Sequence, residues 1–195
     1  MQGARLPGRR FRDALRYAAR VHGGQFRKGT GRPYVGHLLG VTSIVLTHGG
    51  DEDEAIAALL HDAVEDQGGK ARLREIRKKF GARVARIVDG CTDSYTEPKP
   101  PWLARKKKYL RHLRHANSSV CLVSAADKLY NARETLNDLR FEGTKVWERF
   151  KAAKKQVLWY YREVEKILRH KCPRALAGEL AGVVTELERL AKISV

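Results

Sequence analysis

The chain has 195 residues, 43% of them hydrophobic, and a formal net charge of +17. That length builds one domain with a real core, and that hydrophobic share excludes a disordered chain. The excess positive charge favours polyanions such as nucleotides, nucleic acid or an acidic membrane surface without choosing among them, and Arg-rich usage in a soluble protein produces the same balance.

Helix formers dominate and alternating β-branched runs are rare, so an all-α fold is expected, a compact helical bundle with short loops. A first helix is predicted from Arg9 to His22, its apolar positions following a helical stripe. Residues 23–33 are Gly-rich and basic, hence a loop. A second helix runs from Tyr34 to His48 and stops at Gly49-Gly50. Asp51 caps a third, in which His61-Asp62 and then Glu65-Asp66 interrupt an apolar run. Helices follow over residues 70–80 and 83–91, then a Pro-containing loop over 92–101. A very basic helix spans 102–115, and Asn117 leads into an apolar helix from Val120 to Arg140. One long amphipathic helix is predicted from Thr144 to His170, and a last one after Pro173. No composition shift divides the chain, so 1–195 reads as a single domain.

The three cysteines are scattered and form no Cys-x-x-Cys pair, which fits a reducing cytoplasm. The first ten residues lack the apolar segment of a signal peptide, and no stretch has the length and apolarity of a membrane span.

Four ionisable groups within six residues of a greasy helix are costly to bury unless a metal ion compensates them. His37, His61, Asp62 and Asp127 each sit among apolar neighbours, and together they make a mixed N/O donor set. Such a set suits a borderline-to-hard divalent ion such as Mn, Fe or Zn. Taken singly, each is ordinarily a hydrogen-bonded core residue; the ordered set points to a metal. Glu65 and Asp66 lie one helical turn beyond His61 and Asp62, where a general acid/base can hold a water. Arg27, Lys28 and Arg32 in the Gly-rich loop offer phosphate donors, and Asn131 follows Asp127 by one turn.

The run His22-x-Gly-Gln-x-Arg-Lys-Gly-x-Gly-x-Pro-Tyr-x-x-His37, then His61-Asp-x-x-Glu-Asp66, then Ala126-Asp-Lys-Leu-x-Asn131 resembles the hydrolase domain of RelA/SpoT-type alarmone enzymes, which are HD-domain metal phosphohydrolases. The resemblance covers about residues 9–170. It implies a stand-alone small hydrolase, bound manganese (Mn2+) and removal of the 3′-pyrophosphate from ppGpp, pppGpp or a related nucleotide such as ppApp. By motif match, His37, His61, Asp62 and Asp127 are the metal ligands and Glu65 and Asp66 the catalytic pair. Arg27, Lys28 and Asn131 contact the nucleotide. The sequence departs from the family in having Leu38 where a proline usually follows the first ligand, a loop one residue longer, and Glu134 where a neutral contact is expected. Two rival readings remain: an HD phosphohydrolase acting on another nucleotide, and an idle nucleic-acid-binding module. The second draws on the basic runs 77–79 and 105–108, which otherwise read as solvated helix faces.

Overall fold

The computed structural model describes residues 8–96 and 98–193, with the side chain of Ile193 excluded. Residues 1–7, most of the stretch that suggested no signal peptide, and Glu97 of the Pro-containing loop lie outside it. The elements among the described residues are helices: α1 (Arg9–Val21), α2 (Tyr34–Thr47), α3 (Glu52–Leu60), α4 (Ala63–Asp66), α5 (Gly69–Phe80), α6 (Ala82–Cys91), α7 (Trp102–His115), α8 (Ser118–Glu142), α9 (Lys154–Leu168) and α10 (Arg174–Ile193). None is long and apolar enough to cross a membrane.

Local chemistry sets these boundaries. Asp51 accepts from the Glu54 amide while the Glu54 carboxylate accepts from the Asp51 amide, a capping box that starts α3. Asn117 caps α8 through Val120. Gly81, at φ +96°, makes the turn between α5 and α6 in a backbone region that an L side chain rarely adopts.

Helices α3 and α8 form the centre. Ala55 through Leu60 of α3 are all fully buried, so this helix is apolar on every side, as one enclosed by others must be. Helix α8 packs against α2, α3, α6, α9 and α10, and α3 packs against α1, α2 and α6. Each buried Leu or Ile contributes about 1.5–3 kcal/mol relative to exposure.

Two expectations need correction. The helix carrying His61-Asp62 does not run through; it stops at Leu60 and restarts at Ala63. The His61 ring takes the Ala58 carbonyl at 2.8 Å, which the Asp62 amide would use in a continuous helix. The long helix predicted over 144–170 is also divided, into a 3-10 segment (Gly143–Arg149) and α9. Arg149 there ties back to Asp138 of α8 at 2.7 Å, a tertiary bond that periodicity does not reveal. Leu38 lies inside α2 and is fully buried, and His37 keeps its place beside it.

Helices α2 and α8 meet where Gly40 faces Tyr130. A Cβ built on Gly40 would fall 1.9 Å from the Tyr130 ring, and that ring packs on His37 with centroids 5.1 Å apart. Gly40→Ala is therefore expected to cost about 1–3 kcal/mol in overpacking, offset by about 1 kcal/mol of helix propensity. Urea unfolding should show net destabilisation and a cation titration weaker binding. Wild-type values in both would mean that the ring simply swings aside.

Candidate metal centre and nucleotide cleft

Three helical segments and the α3–α4 break bring the four expected ligands together. His37 Nε2 lies 3.4 Å from Asp62 Oδ2 and 3.4 Å from Asp127 Oδ1. His61 Nε2 lies 3.0 Å from Asp62 Oδ2 and 3.6 Å from Asp127 Oδ1. The two Nε2 atoms are 3.3 Å apart. Single donor atoms from His37, His61 and Asp127, all buried residues, lie within 4.8 Å of one another, as a bound metal ion requires.

The donor chemistry fits a divalent cation. Because the Ala58 carbonyl can only accept, His61 Nδ1 carries the proton and a neutral His61 aims its Nε2 lone pair into the cluster. Two imidazole nitrogens and two carboxylate oxygens point at one spot, and because His37 Nδ1 has no partner the only hydrogen bonds open to a neutral His37 are made there through Nε2. A cation satisfies all four at once. Without it a proton must serve: burial pushes His61 down, but Asp62 and Asp127 outweigh burial and hold its pKa well above the ordinary value. Asp62 and Asp127 are in turn held well below the carboxylate range, against the opposing effect of burial, by His61 and, for Asp127, by Lys128.

Surrounding residues aim this cluster. Tyr34 Oη donates to Asp62 Oδ2 at 2.6 Å. Asp127 receives Asn131 Nδ2 on Oδ1 at 2.5 Å and Lys128 on Oδ2, so only one of its oxygens faces the histidines. Asn131 Oδ1 also accepts from Arg27 at 2.8 Å. Arg27 reaches it from a small hairpin closed by Arg27 N to Arg32 O at 2.8 Å, with Gly29 and Gly31 at φ +73° and +65°.

Glu65 and Asp66 have different surroundings. Glu65 lines the cleft beside the cluster, a cavity of about 210 Å3. Burial, then Asp93 and Asp62, raise its pKa, while Lys99 partly offsets them. Asp66 is not among the residues lining that cavity. It accepts from Gln25 Nε2 at 2.9 Å and from Lys99 at 3.0 Å, and Lys99 also bonds Glu65 at 2.8 Å. Arg27 and Asn131 line the cleft; Lys28 does not and is exposed. Arg32 is engaged elsewhere, by Glu134 at 2.7 Å and Asp138 at 3.1 Å, which gives the unexpected Glu134 a structural partner.

The sequence reading missed several cleft residues. Asp93 accepts from Arg105 at 2.5 Å and Lys106 at 2.6 Å. Burial opposes its ionisation, but Lys106 and Arg105 prevail and hold its pKa at about 2. Lys106, Tyr109, Lys128 and Tyr160 also line the cleft. Arg105 and Lys106 belong to the run that read as a solvated face; these two turn inward, while Lys107 and Lys108 are exposed. A signal existed in the spacing: Tyr109 and Leu110, both buried, place 105 and 106 one turn earlier on the inward side.

A proton and a cation compete for this cluster, which fixes a sign. In the metal-free chain the pKa of His61 is raised, so its stabilising contribution is full below the unfolded value of about 6.5 and is lost as pH rises through the folded value. Bound cation should reverse the trend, because binding releases that proton. Melting temperature against pH, with chelator and with excess manganese, should slope in opposite directions, the cation adding about 2.7 kcal/mol at a hundredfold excess over Kd. Parallel slopes would count against a shared proton and cation site, and His61→Ala should remove the cation effect.

Residues 14–158 match the HD domain family model. The chain is 39% identical over 167 residues to the guanosine-3′,5′-bis(diphosphate) 3′-pyrophosphohydrolase MESH1 of Homo sapiens, covering 81% of this chain and 90% of that one. It is 41% identical to the MESH1 of Danio rerio, covering 67% and 71% respectively. A solved structure described as a metazoan ortholog of SpoT that hydrolyzes ppGpp superposes with a TM-score of 0.77 at 28% identity, over 94% of this chain and 98% of that one. The matched span takes in every donor of the cluster, and the chain belongs to the HD domain family, in the group that includes the MESH1 pyrophosphohydrolases.

Proposed function

We propose that the chain is a metal-dependent 3′-pyrophosphohydrolase of (p)ppGpp-type nucleotides, folded as one catalytic domain, with manganese as its metal. The observation that carries this reading is the convergence of His37, His61, Asp62 and Asp127 beside the acidic Glu65, in a chain 39% identical to a named pyrophosphohydrolase of that substrate. These four residues hold the ion. When bound, it screens the charge of the diphosphate and lowers the pKa of water at the site.

The rest belongs to the chain's own residues. Glu65 is the general base: it faces the cleft and its raised pKa brings it nearer to neutral pH, where a base accepts a proton more readily. Asp66 acts one step back, fixing Lys99, which in turn holds Glu65 in place. Arg27 and Asn131, bonded to each other at the cleft, bind the nucleotide. Lys28, exposed outside the cleft, serves at most as an outer contact. Attack of water on the phosphorus breaks its bond to the 3′ oxygen, and the donors of Arg27 and the cleft lysines offset the charge that moves. Three free thiols, Cys91, Cys121 and Cys172, fit a reducing cytoplasm.

Purified with manganese, the chain should release pyrophosphate from ppGpp. No release from ppGpp, pppGpp or the adenosine analogues with metal bound would overturn the reading. Glu65→Gln should lose about 10²–10⁴-fold in turnover while keeping the cation-induced rise in melting temperature. With manganese kept saturating, turnover should also fall on acidification as Glu65 takes up a proton, and that part of the acidic limb should disappear in Glu65→Gln.

A further inference from the structure

Besides Arg27 and Asn131, the cleft is lined by Tyr160, Lys106 and Lys128, to which no particular substrate atom has yet been assigned. Tyr160 is 6% exposed, yet its hydroxyl has no hydrogen-bond partner while the residue lines the cavity. Two ammonium groups flank its ring: Lys106 Nζ at 5.0 Å from the centroid and Lys128 Nζ at 6.0 Å. Each has one carboxylate partner, Asp93 for Lys106 and Asp127 for Lys128. An ammonium has three N–H donors, so both keep donors to spare. The neighbouring groups are already satisfied or inert. Tyr109 Oη shares a 2.7 Å bond with Ser124, and burial pushes the Cys91 thiol up to about 11. The edge of Trp102 holds the Tyr160 ring, with centroids 5.8 Å apart.

A buried hydroxyl without a partner is a standing cost unless a ligand completes it. A hydroxyl and two ammoniums lining one cavity can receive a tetrahedral oxyanion. We propose that Tyr160, Lys106 and Lys128 bind the outer phosphoryl group of the 3′-diphosphate, so that the chain reads a diphosphate in preference to a monophosphate. The inference rests on the reading given under Proposed function, and it adds Tyr160, Lys106 and Lys128 to the substrate-binding residues. It assigns them to the half of the diphosphate remote from the sugar, which departs as inorganic pyrophosphate together with the inner phosphorus.

Inorganic pyrophosphate and inorganic phosphate are the probes, titrated calorimetrically into the manganese-loaded full chain. The variant Tyr160→Phe keeps the ring and removes the oxygen alone. It should bind pyrophosphate about tenfold more weakly, as loss of one hydrogen bond to a charged group implies, and phosphate within about twofold of wild type. Its melting temperature should not fall, because no existing bond is lost. Should this variant fail to fold, Lys106→Gln carries the same comparison. Equal affinity of Tyr160→Phe and wild type for pyrophosphate overturns the proposal, as does an equal loss for both anions, which marks a merely structural role. If the wild type hydrolyses none of the nucleotides yet Tyr160→Phe still loses pyrophosphate selectively, the substrate reading fails and the diphosphate site stands.

Discussion

Everything at the site depends on one unfavourable arrangement: two imidazole nitrogens 3.3 Å apart, each within 3.0–3.6 Å of an Asp62 and an Asp127 carboxylate oxygen, in the interior. Lone pairs aimed at lone pairs repel, and burial removes the water that would separate them. The packing of α2, α3 and α8 holds them there. The apolar faces of those helices supply the free energy that keeps the donors in place, and a cation or a proton at the centre turns repulsion into coordination. The Gly40–Tyr130 contact belongs to the same constraint, since a side chain at position 40 would part the helices that carry His37 and Asp127.

The break at His61-Asp62 serves this constraint too. His61 and Asp62 keep right-handed helical dihedrals through the break, so their side chains leave the backbone about 100° apart and must turn towards one point. Ending α3 at Leu60 and letting the His61 ring take the Ala58 carbonyl brings His61 Nε2 and Asp62 Oδ2 to 3.0 Å. The same bond selects the tautomer of His61. One side-chain bond thus sets both the direction of the His61 ring and the place of its proton, while Tyr34 orients Asp62.

This separates what was legible in the sequence from what was not. The members of the His37, His61, Asp62 and Asp127 cluster were legible because each is an ionisable group inside an apolar run, a local anomaly that one segment displays by itself. The all-α class, the caps at Asp51 and Asn117 and the turn at Gly81 were legible for the same local reason. The break at 61–62 was not, because Leu-Leu-His-Asp-Ala-Val has good helix formers throughout and the competing bond is made by a side chain. The split of the 144–170 helix depends on the Arg149–Asp138 contact between elements. The inward lysines were hidden most completely. Lysines 99, 106 and 128 look like any others in a chain of this charge, and only the tertiary structure separates those turned inward to Asp93, Glu65 and Asp127 from those in solvent.

The inward lysines also settle how a chain of net charge +17 carries so acidic a cleft. Asp62, Glu65, Asp93 and Asp127 line one cavity, and alone they would repel a diphosphate. Lys99, Lys106 and Lys128 each hold one or more acidic groups of this region by a direct bond. Together with Arg105 they offset most of the acidic charge, so the cleft neither expels the anion nor traps it by uncompensated charge. Attraction is then left to the metal and to donors still free on groups already fixed in position. Such donors need little reorganisation when a phosphate arrives, the condition under which hydrogen bonds contribute most to binding a charged group. The long-range field of the exposed basic faces draws a polyanion towards the protein, whereas the paired interior determines how it is held and how easily it leaves.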